Sequence, residues 1–383
     1  MKTFTAAAVT ALLFAGILTL WVPGRWAVSL FQAGAFALAL AWAVRFAIRP
    51  YPLCGSVTII PLAATVVWGA AQLALGQTVY RWETWTELLK WGTNLVLFVL
   101  ALQVFADPAR RERFLRSVLY FGAALSVVGS IQLYSAEGRI FWLFPSEYKE
   151  FVLGPFVYHN QYAGFVELIL PLAIVGALED RRKAPAYAAM AAALYASVIA
   201  AASRTGAILV TAEIFLIVFA SRRRSRVITF GLLAGLAVLF TAIAGWDVLW
   251  RRFQLADPFS DRREFFLSSL AMIRDRPAMG FGLGTWSTAY PAYALRDNGL
   301  LANQAHNDWA QWAVEGGLPF LLVMLWIAAR SVRPAFRTLW GIGVLAVFVH
   351  CLVDYPLQRP ALAGFFFVFL AVMESACAAE KKS

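Results

Sequence analysis

Apolar residues run along most of the chain in long stretches that are separated by short polar segments. A helix needs about 20 predominantly apolar residues to cross the hydrocarbon core of a bilayer. Twelve stretches approach this length, so the pattern predicts an all-α fold, a polytopic membrane bundle of about twelve transmembrane helices. The predicted spans cover residues 4–22, 26–45, 56–76, 85–105, 117–134, 161–178, 185–202, 205–220, 227–246, 313–329, 338–353 and 361–377.

The longest polar segment, residues 247–312, is predicted to be one large loop that contains short helices. Asp257 and Pro258 are typical of a helix start, as N-cap and first helical residue, and Pro277 follows the expected end near residue 274. One face of this helix is predicted to turn towards the protein. That face consists of Arg262, Phe266, Ser269 and Ile273.

Composition supports the membrane interpretation. Of the 383 residues, 61% are hydrophobic and 14% charged, whereas soluble domains have roughly 45–50% apolar and about 25% charged residues. This balance excludes a disordered chain and an ordinary soluble enzyme. The three cysteines are far apart and suggest neither a disulfide framework nor a zinc site.

The net charge of +11 comes from short arginine-rich clusters between the apolar stretches. Such clusters hold the cytoplasmic ends of membrane helices, and this interpretation is favoured over binding of nucleic acid. With twelve spans, the clusters after the even-numbered spans all fall on one side, which predicts that both termini are cytoplasmic. These clusters begin at Arg110, Arg181, Arg222, Arg330 and Lys381.

Arginines on the opposite side have no such topological purpose. Seven of them lie in the 247–312 loop, and Arg204 separates two apolar stretches. An arginine near a membrane is costly unless it is paired, so Arg204 either forms an ion pair with Glu167 or Glu213 or belongs to a functional site. Arg262 on the inward face likewise needs an anion, which is either a protein carboxylate or a phosphate.

His306 is the most informative of the three histidines. It is predicted to begin the tenth span, on one helical face with Ala310, Ala313 and Gly317. A helix N-terminus favours the neutral imidazole, which could accept a proton, although a lone histidine is also often structural. The glycine-rich segment 280–284 is interpreted as a structural turn, with ligand binding by its backbone N–H groups as the alternative.

Several classes of site have no motif in the sequence. There is no metal-binding spacing, no Walker motif and no nucleophile elbow, so we expect neither a metal nor a cofactor. What remains is a set of arginines and a histidine on one face of the membrane. This set suits an anionic, lipid-anchored substrate.

These residues and their order resemble the O-antigen ligase and polymerase superfamily of bacterial envelope glycosyltransferases. The resemblance covers mainly residues 154–370 and rests on five motifs in a roughly fixed spacing. They are His159-Asn160-Gln161-Tyr162-Ala163, Ser203-Arg204-Thr205-Gly206-Ala207, Arg262-Arg263-Glu264-Phe265-Phe266, the segment from Arg276 to Thr285, and His306-Asn307-Asp308 with Glu315-Gly316-Gly317.

The resemblance implies an inverting, metal-independent glycosyltransferase in the bacterial inner membrane, with its active site facing the periplasm. The implied donor is a glycan on undecaprenyl diphosphate, and the acceptor is lipid A–core for a ligase or a lipid-linked glycan for a polymerase. Arg204 and Arg262 match the arginines that engage the diphosphate, and His306, the third expected catalytic residue, matches the motif histidine near the acceptor. The second arginine could instead be Arg263, and the helical face favours Arg262. Further expected substrate-binding residues are Arg263, His159, Asn160, Asn307 and Arg276.

The expected organisation has two parts, with residues 1–150 as N-terminal transmembrane helices forming a scaffold or lipid groove. Residues 151–383 form the ligase-like region, which includes the loop. We favour the ligase slightly over the polymerase and the protein O-glycosyltransferase. A transporter of lipid-linked glycans and a scaffold without chemistry are the alternatives from other classes, and no internal repeat supports the transporter.

Overall fold

The computed structural model describes residues 2–146, 150, 152–221, 226–254, 260–296, 299 and 301–380. Within these residues the chain is all α-helical and contains no β-strand. The helices are α1 (Lys2–Leu18), α2 (Arg25–Ile48), α3 (Ile59–Ala74), α4 (Arg81–Phe105), α5 (Pro108–Ser135), α6 (His159–Glu179), α7 (Ala184–Ala200), α8 (Arg204–Ala220), α9 (Arg226–Ala244), α10 (Asp247–Phe253), α11 (Ser260–Asp275), α12 (Trp286–Ala289), α13 (Asp308–Thr338), α14 (Ile342–His350) and α15 (Pro360–Glu380).

Every predicted span overlaps one of these helices, but the helices differ in length. Seven described helices are long and apolar enough to cross a membrane: α2, α4, α5, α6, α9, α13 and α15. In the predicted span 338–353 the helix α14 has nine residues and extends about 13 Å, so it is shorter than predicted. The polytopic helical bundle is confirmed, and the count of twelve spans stays a prediction.

Two helices form the centre of the bundle. In α6 and α15 about nine-tenths of the apolar window is buried, whereas only 22% is buried in α2 and 17% in α9. A helix that is apolar on all sides is stable either inside a large protein or against lipid. We therefore place α6 and α15 in the protein interior, with α2 and α9 facing lipid. A single hydrophobic core joins residues from α1 to α15.

α13 is interrupted at Gly317, whose φ of 74° lies outside the helical region. A Cβ atom at this position would lie 2.3 Å from the carbonyl oxygen of Ala278, so only glycine allows the loop to come this close. The amide of Leu318 donates to the carbonyl of Pro277 at 2.8 Å. The break therefore fixes the large loop onto α13.

The large loop has a small hydrophobic core of its own, which includes Phe265, Met272, Trp286 and Tyr290. Its glycine-rich segment is a turn held by Glu315, whose carboxylate accepts from the Gly284 amide at 2.9 Å and the Trp286 amide at 3.3 Å. Gln72 of α3 accepts from the Leu283 amide at 3.0 Å. Because these N–H groups are already paired within the protein, the structural interpretation of the glycine segment is confirmed.

Candidate active site

Five segments from distant parts of the sequence meet at one end of the bundle. They are the starts of α6, α8 and α11, the residues before α13, and the residues after α14. Side-chain N-caps fix the starts of two of the helices involved. Ser203 caps α8 by accepting from the Gly206 amide at 3.1 Å, and Asn307 caps α13 by accepting from the Ala310 amide at 2.9 Å.

The side chain of Asp354, only 1% exposed, lies at the centre of this arrangement. Its Oδ2 accepts from Arg262 Nη2 at 2.8 Å, from the Tyr158 hydroxyl at 3.0 Å and from Asn160 Nδ2. His306 Nδ1 lies 3.9 Å from the other carboxylate oxygen. One buried carboxylate therefore organises an arginine, a histidine, a tyrosine and an asparagine.

The surroundings of Asp354 stabilise its ionised form. Burial opposes ionisation, but electrostatic interactions with Arg262, His306 and His350 and a hydrogen bond from the Tyr355 amide outweigh it, so the pKa of Asp354 lies below its usual value. Burial and then the charge of Asp354 raise the pKa of Tyr158 well above its usual range. Tyr158 therefore remains a protonated donor to Asp354.

Asn160 connects Asp354 to the helix that carries Arg204. Its Oδ1 accepts from Ser203 Oγ at 2.7 Å, and its Nδ2 also contacts the Tyr158 hydroxyl at 3.0 Å. Ser203 is the N-cap of α8, directly before Arg204. The carboxylate centre and the start of α8 are thus linked through a single asparagine side chain.

Arg204 and Arg252 form the second half of the arrangement. Arg204 Nη1 donates to the backbone carbonyl of Arg252 at 3.2 Å, while Arg252 Nη1 donates to the carbonyl of Ala202 at 3.0 Å. Arg252 Nη1 also lies 3.1 Å from Nε2 of His159. Because a guanidinium group only donates, Nε2 of His159 must be the unprotonated acceptor in this contact.

His306 lies before α13 rather than within it. The helix begins at Asp308, and His306 has a positive φ of 51°, so its predicted place on a helical face with Ala310, Ala313 and Gly317 is wrong. The physical reason is that Asn307 acts as the N-cap, which leaves His306 outside the helix. Its ring stacks on Phe265 with a centroid distance of 5.8 Å and meets Tyr355 edge-on at 4.7 Å.

The inward face of α11 also differs from the prediction. Phe266 is 41% exposed, whereas Phe265, Ser268, Ser269 and Met272 are buried. Arg262 nevertheless reaches Asp354, and its neighbour Arg263 is exposed. The expectation that Arg262 turns inward is confirmed. Among the described residues, its anionic partner is the carboxylate of Asp354. The predicted cap at Asp257 and Pro258 lies outside the described residues.

Two predicted binding residues lie apart from this cluster or have another role. Arg276 follows the far end of α11, roughly 20 Å along the helix from Arg262, where it packs over the ring of Phe281. Asn307 uses its side-chain oxygen to cap α13. The structure therefore does not bring Arg276 to the cluster, and it gives Asn307 a structural contact.

Glu167 and Glu213 do not form the ion pair with Arg204 that the sequence offered as an alternative to a functional role. Glu167 pairs instead with His350, with 2.7 Å between Oε1 and Nδ1. Among the described residues, Glu213 has no hydrogen-bond partner. Likewise, no group of three or more His, Cys, Asp or Glu side chains in the described part of the chain is placed to hold a metal ion.

A comparison with known protein families matches residues 188–327 to the family model described as O-antigen ligase. The resemblance to the O-antigen ligase and polymerase superfamily is confirmed. No curated protein matches the chain. The long apolar helices support a multi-pass membrane protein, and the match shows that its central part is similar to the O-antigen ligase family.

The O-antigen ligase match extends from α7 into α13. It contains Arg204, Arg252, Arg262 and His306, whereas Asp354 lies beyond its C-terminal limit. Sequence reasoning did not select Asp354, Arg252 or Tyr158 as site residues. Asp354 offered one signal, because it is a lone acidic residue directly after an apolar stretch.

Asp354→Asn is expected to lower the free energy of unfolding at pH 7 by about 3–5 kcal/mol, because it leaves Arg262 without its carboxylate. The pKa of Asp354 is lower in the folded state than in the unfolded state, where it is about 3.9. The contribution of Asp354 to stability is therefore fully present above that unfolded-state pKa and is lost as the pH falls through the folded-state pKa. The difference between wild type and variant should therefore shrink below about pH 4. Thermal unfolding in detergent across pH measures this.

Asp180→Asn provides the matched control, because it changes a carboxylate whose side chain is 40% exposed. It is expected to follow wild type at every pH, since exposed ion pairs contribute about 0–1 kcal/mol. A constant difference between Asp354→Asn and wild type down to pH 2 would contradict the assignment of this pH dependence to Asp354.

Proposed function

We propose that this chain transfers a glycan from undecaprenyl diphosphate to an acceptor, with lipid A–core as the favoured acceptor. The observation that carries the proposal is the convergence of Arg204, Arg262 and His306 at one end of a membrane bundle, inside the O-antigen ligase match. Arg204 is close enough to Arg262 for the two charges to interact. A diphosphate is an anion that suits paired guanidinium groups.

The proposed reaction is a single displacement with inversion at the anomeric carbon. The acceptor hydroxyl oxygen forms the new bond to that carbon as the bond to the diphosphate oxygen breaks. Negative charge therefore grows on undecaprenyl diphosphate as it leaves. Arg204 and Arg262 would stabilise this charge more strongly in the transition state than in the ground state, which lowers the barrier.

His306 is the proposed acceptor of the hydroxyl proton. Its ring is supported by Phe265 and Tyr355 and lies beside ionised Asp354, so a positive charge formed on the imidazole would have a nearby counterion. The alternative is that His306 only positions the acceptor, because diphosphate is already a good leaving group. The two roles predict different activities for the variant His306→Gln. Turnover should fall strongly if the imidazole is the base and stay near wild type if it only positions the acceptor.

We further propose that this end of the bundle faces the periplasm and that both termini are cytoplasmic. Support comes from the basic clusters that follow the even-numbered predicted spans. The surrounding phospholipid bilayer would then present both lipid-linked substrates to the same surface. Residues 1–150 would serve as the scaffold or lipid groove.

The test is glycan transfer by the purified protein in nanodiscs, with lipid-linked glycan extracted from the host membranes as donor. Lipid A–core, a second lipid-linked glycan and an acceptor protein are supplied separately. We expect a product with lipid A–core that runs as a larger species on a gel, with release of undecaprenyl diphosphate. A product only with the second lipid-linked glycan would identify a polymerase, and unchanged donor and acceptors would indicate a transporter.

A further inference from the structure

A second set of ionisable side chains lies deeper in the bundle than the Asp354 cluster. It consists of Glu167 in α6, Glu213 in α8 and His350 at the end of α14, and all three are at most 1% exposed. His350 Nδ1 lies 2.7 Å from Glu167 Oε1. Ionisable groups at such depth in a membrane protein are costly, so each is a candidate for a functional role. The proposed transfer reaction does not use them.

The Glu167–His350 pair lies directly behind two segments of the cluster. Glu167 follows Asn160 by seven residues, which is two turns of α6. On the other side, the backbone carbonyl of His350 accepts from the Asp354 amide at 3.0 Å. The pair therefore joins the helix that supplies Asn160 to the turn that supplies Asp354.

α14 also touches Glu167 near its other end. A Cβ atom at Gly343 would lie 2.3 Å from the backbone oxygen of Glu167, so the two helix backbones are in close contact there. The contacts at Gly343 and His350 lie about two turns apart on α14 and both involve Glu167. Together they fix the register of α14 on α6.

We propose that Glu167 and His350 are positioning residues for the transfer reaction, because their buried pair holds Asp354 in reach of Arg262, His306 and Asn160. This inference rests on the proposed function. A shift of α14 along α6 would separate Asp354 from Asn160 and Tyr158, whose contacts with Oδ2 include the 3.0 Å hydrogen bond from the Tyr158 hydroxyl. Catalytic arrangements lose activity when a group moves by about 1 Å.

His350 also acts on Asp354 through its charge. Burial opposes ionisation of Asp354, and His350 joins Arg262 and His306 in lowering its pKa. The ionisable groups of the described residues that face Asp354 or His350 are Tyr158, His159 and Glu167 of the α6 region, Arg262 of α11, His306 and Asp308 at the start of α13, Tyr355, and Cys351. Removal of the His350 charge should therefore raise the pKa of Asp354.

The experiment uses the full-length protein in nanodiscs and compares wild type with His350→Gln and with the double variant Glu167→Gln/His350→Gln. The double variant keeps a hydrogen bond between two amides and leaves no buried unpaired charge, so it guards against a folding failure of the single variant. Isotope-edited infrared spectroscopy, with Asp354→Asn to assign the band, measures the pH at which Asp354 takes up a proton. Transfer is followed over the same pH range.

We expect the Asp354 protonation midpoint and the acid limb of the transfer profile to move to higher pH in His350→Gln, and by less in the double variant, which also removes the negative charge of Glu167. Turnover should fall by about tenfold to a hundredfold, with affinity for undecaprenyl diphosphate within about twofold of wild type. Glu213→Gln is the matched control, because Glu213 lies in the same buried region and has no hydrogen-bond partner among the described residues. It is expected to leave both readouts unchanged.

Two results separate the inference from the function on which it rests. If wild type transfers glycan while both variants keep the wild-type midpoint and turnover, the positioning role is overturned. If the midpoint moves but wild type transfers no glycan to any acceptor, the proposed function fails and the coupling of His350 to Asp354 stands.

Discussion

Arg262→Ala is expected to lower the turnover of glycan transfer by about 10²–10³-fold, the loss typical when one group that stabilises developing negative charge is removed. Arg262 ion-pairs with Asp354 at 2.8 Å and retains a side chain that is 22% exposed, so it is held in place and can still reach a substrate. Steady-state transfer by the purified variant measures the effect, with affinity for undecaprenyl diphosphate measured in parallel. Size-exclusion chromatography checks that the variant remains folded.

Arg263→Ala is the matched comparison, because it removes the same functional group from the adjacent, exposed position. We expect its turnover to stay within about threefold of wild type, since surface substitutions away from special features have small effects. If Arg263→Ala were inactive and Arg262→Ala active, the assignment of the diphosphate-binding arginine would be reversed.

His306→Gln is expected to lower turnover by about 10²–10⁴-fold if the imidazole takes up the proton of the attacking hydroxyl group. The reason is that glutamine keeps a hydrogen-bonding side chain but is not a base. Donor binding should be little changed, since Arg204 and Arg262 would retain the diphosphate. Single-turnover transfer separates the chemical step from binding and product release. Near wild-type activity in this variant would favour positioning alone.

The helical plan of the protein could be predicted from apolar stretches, because each span must bury about 20 apolar residues. The failures occurred where a local contact competed with that pattern. α14 is short because His350 and the turn after it pack against α6 and approach the loop, rather than continue an apolar helix. A hydropathy window cannot detect such an early end.

The site was partly predictable for a different reason. Three site residues could be selected because they are polar and lie beside predicted spans: Arg204, Arg262 and His306. The structure brings them to one end of the bundle. Asp354 lies 92 residues from Arg262 in sequence, and no spacing connects them. On α11 the predicted Arg262 and Ser269 do face inward, but Phe265 rather than Phe266 fills the space beside His306.

The glycine turn of the large loop limits how this loop can be exchanged between related proteins. Exchanging residues 247–312 between relatives would transplant most of the loop's small hydrophobic core but not the supports it receives from outside, two of which are side chains. Gln72 accepts from the Leu283 amide at 3.0 Å, and Glu315 accepts from the Gly284 amide at 2.9 Å. A chimera that keeps this turn must therefore carry compatible residues at both positions, so exchange of the loop requires matching residues in α3 and α13.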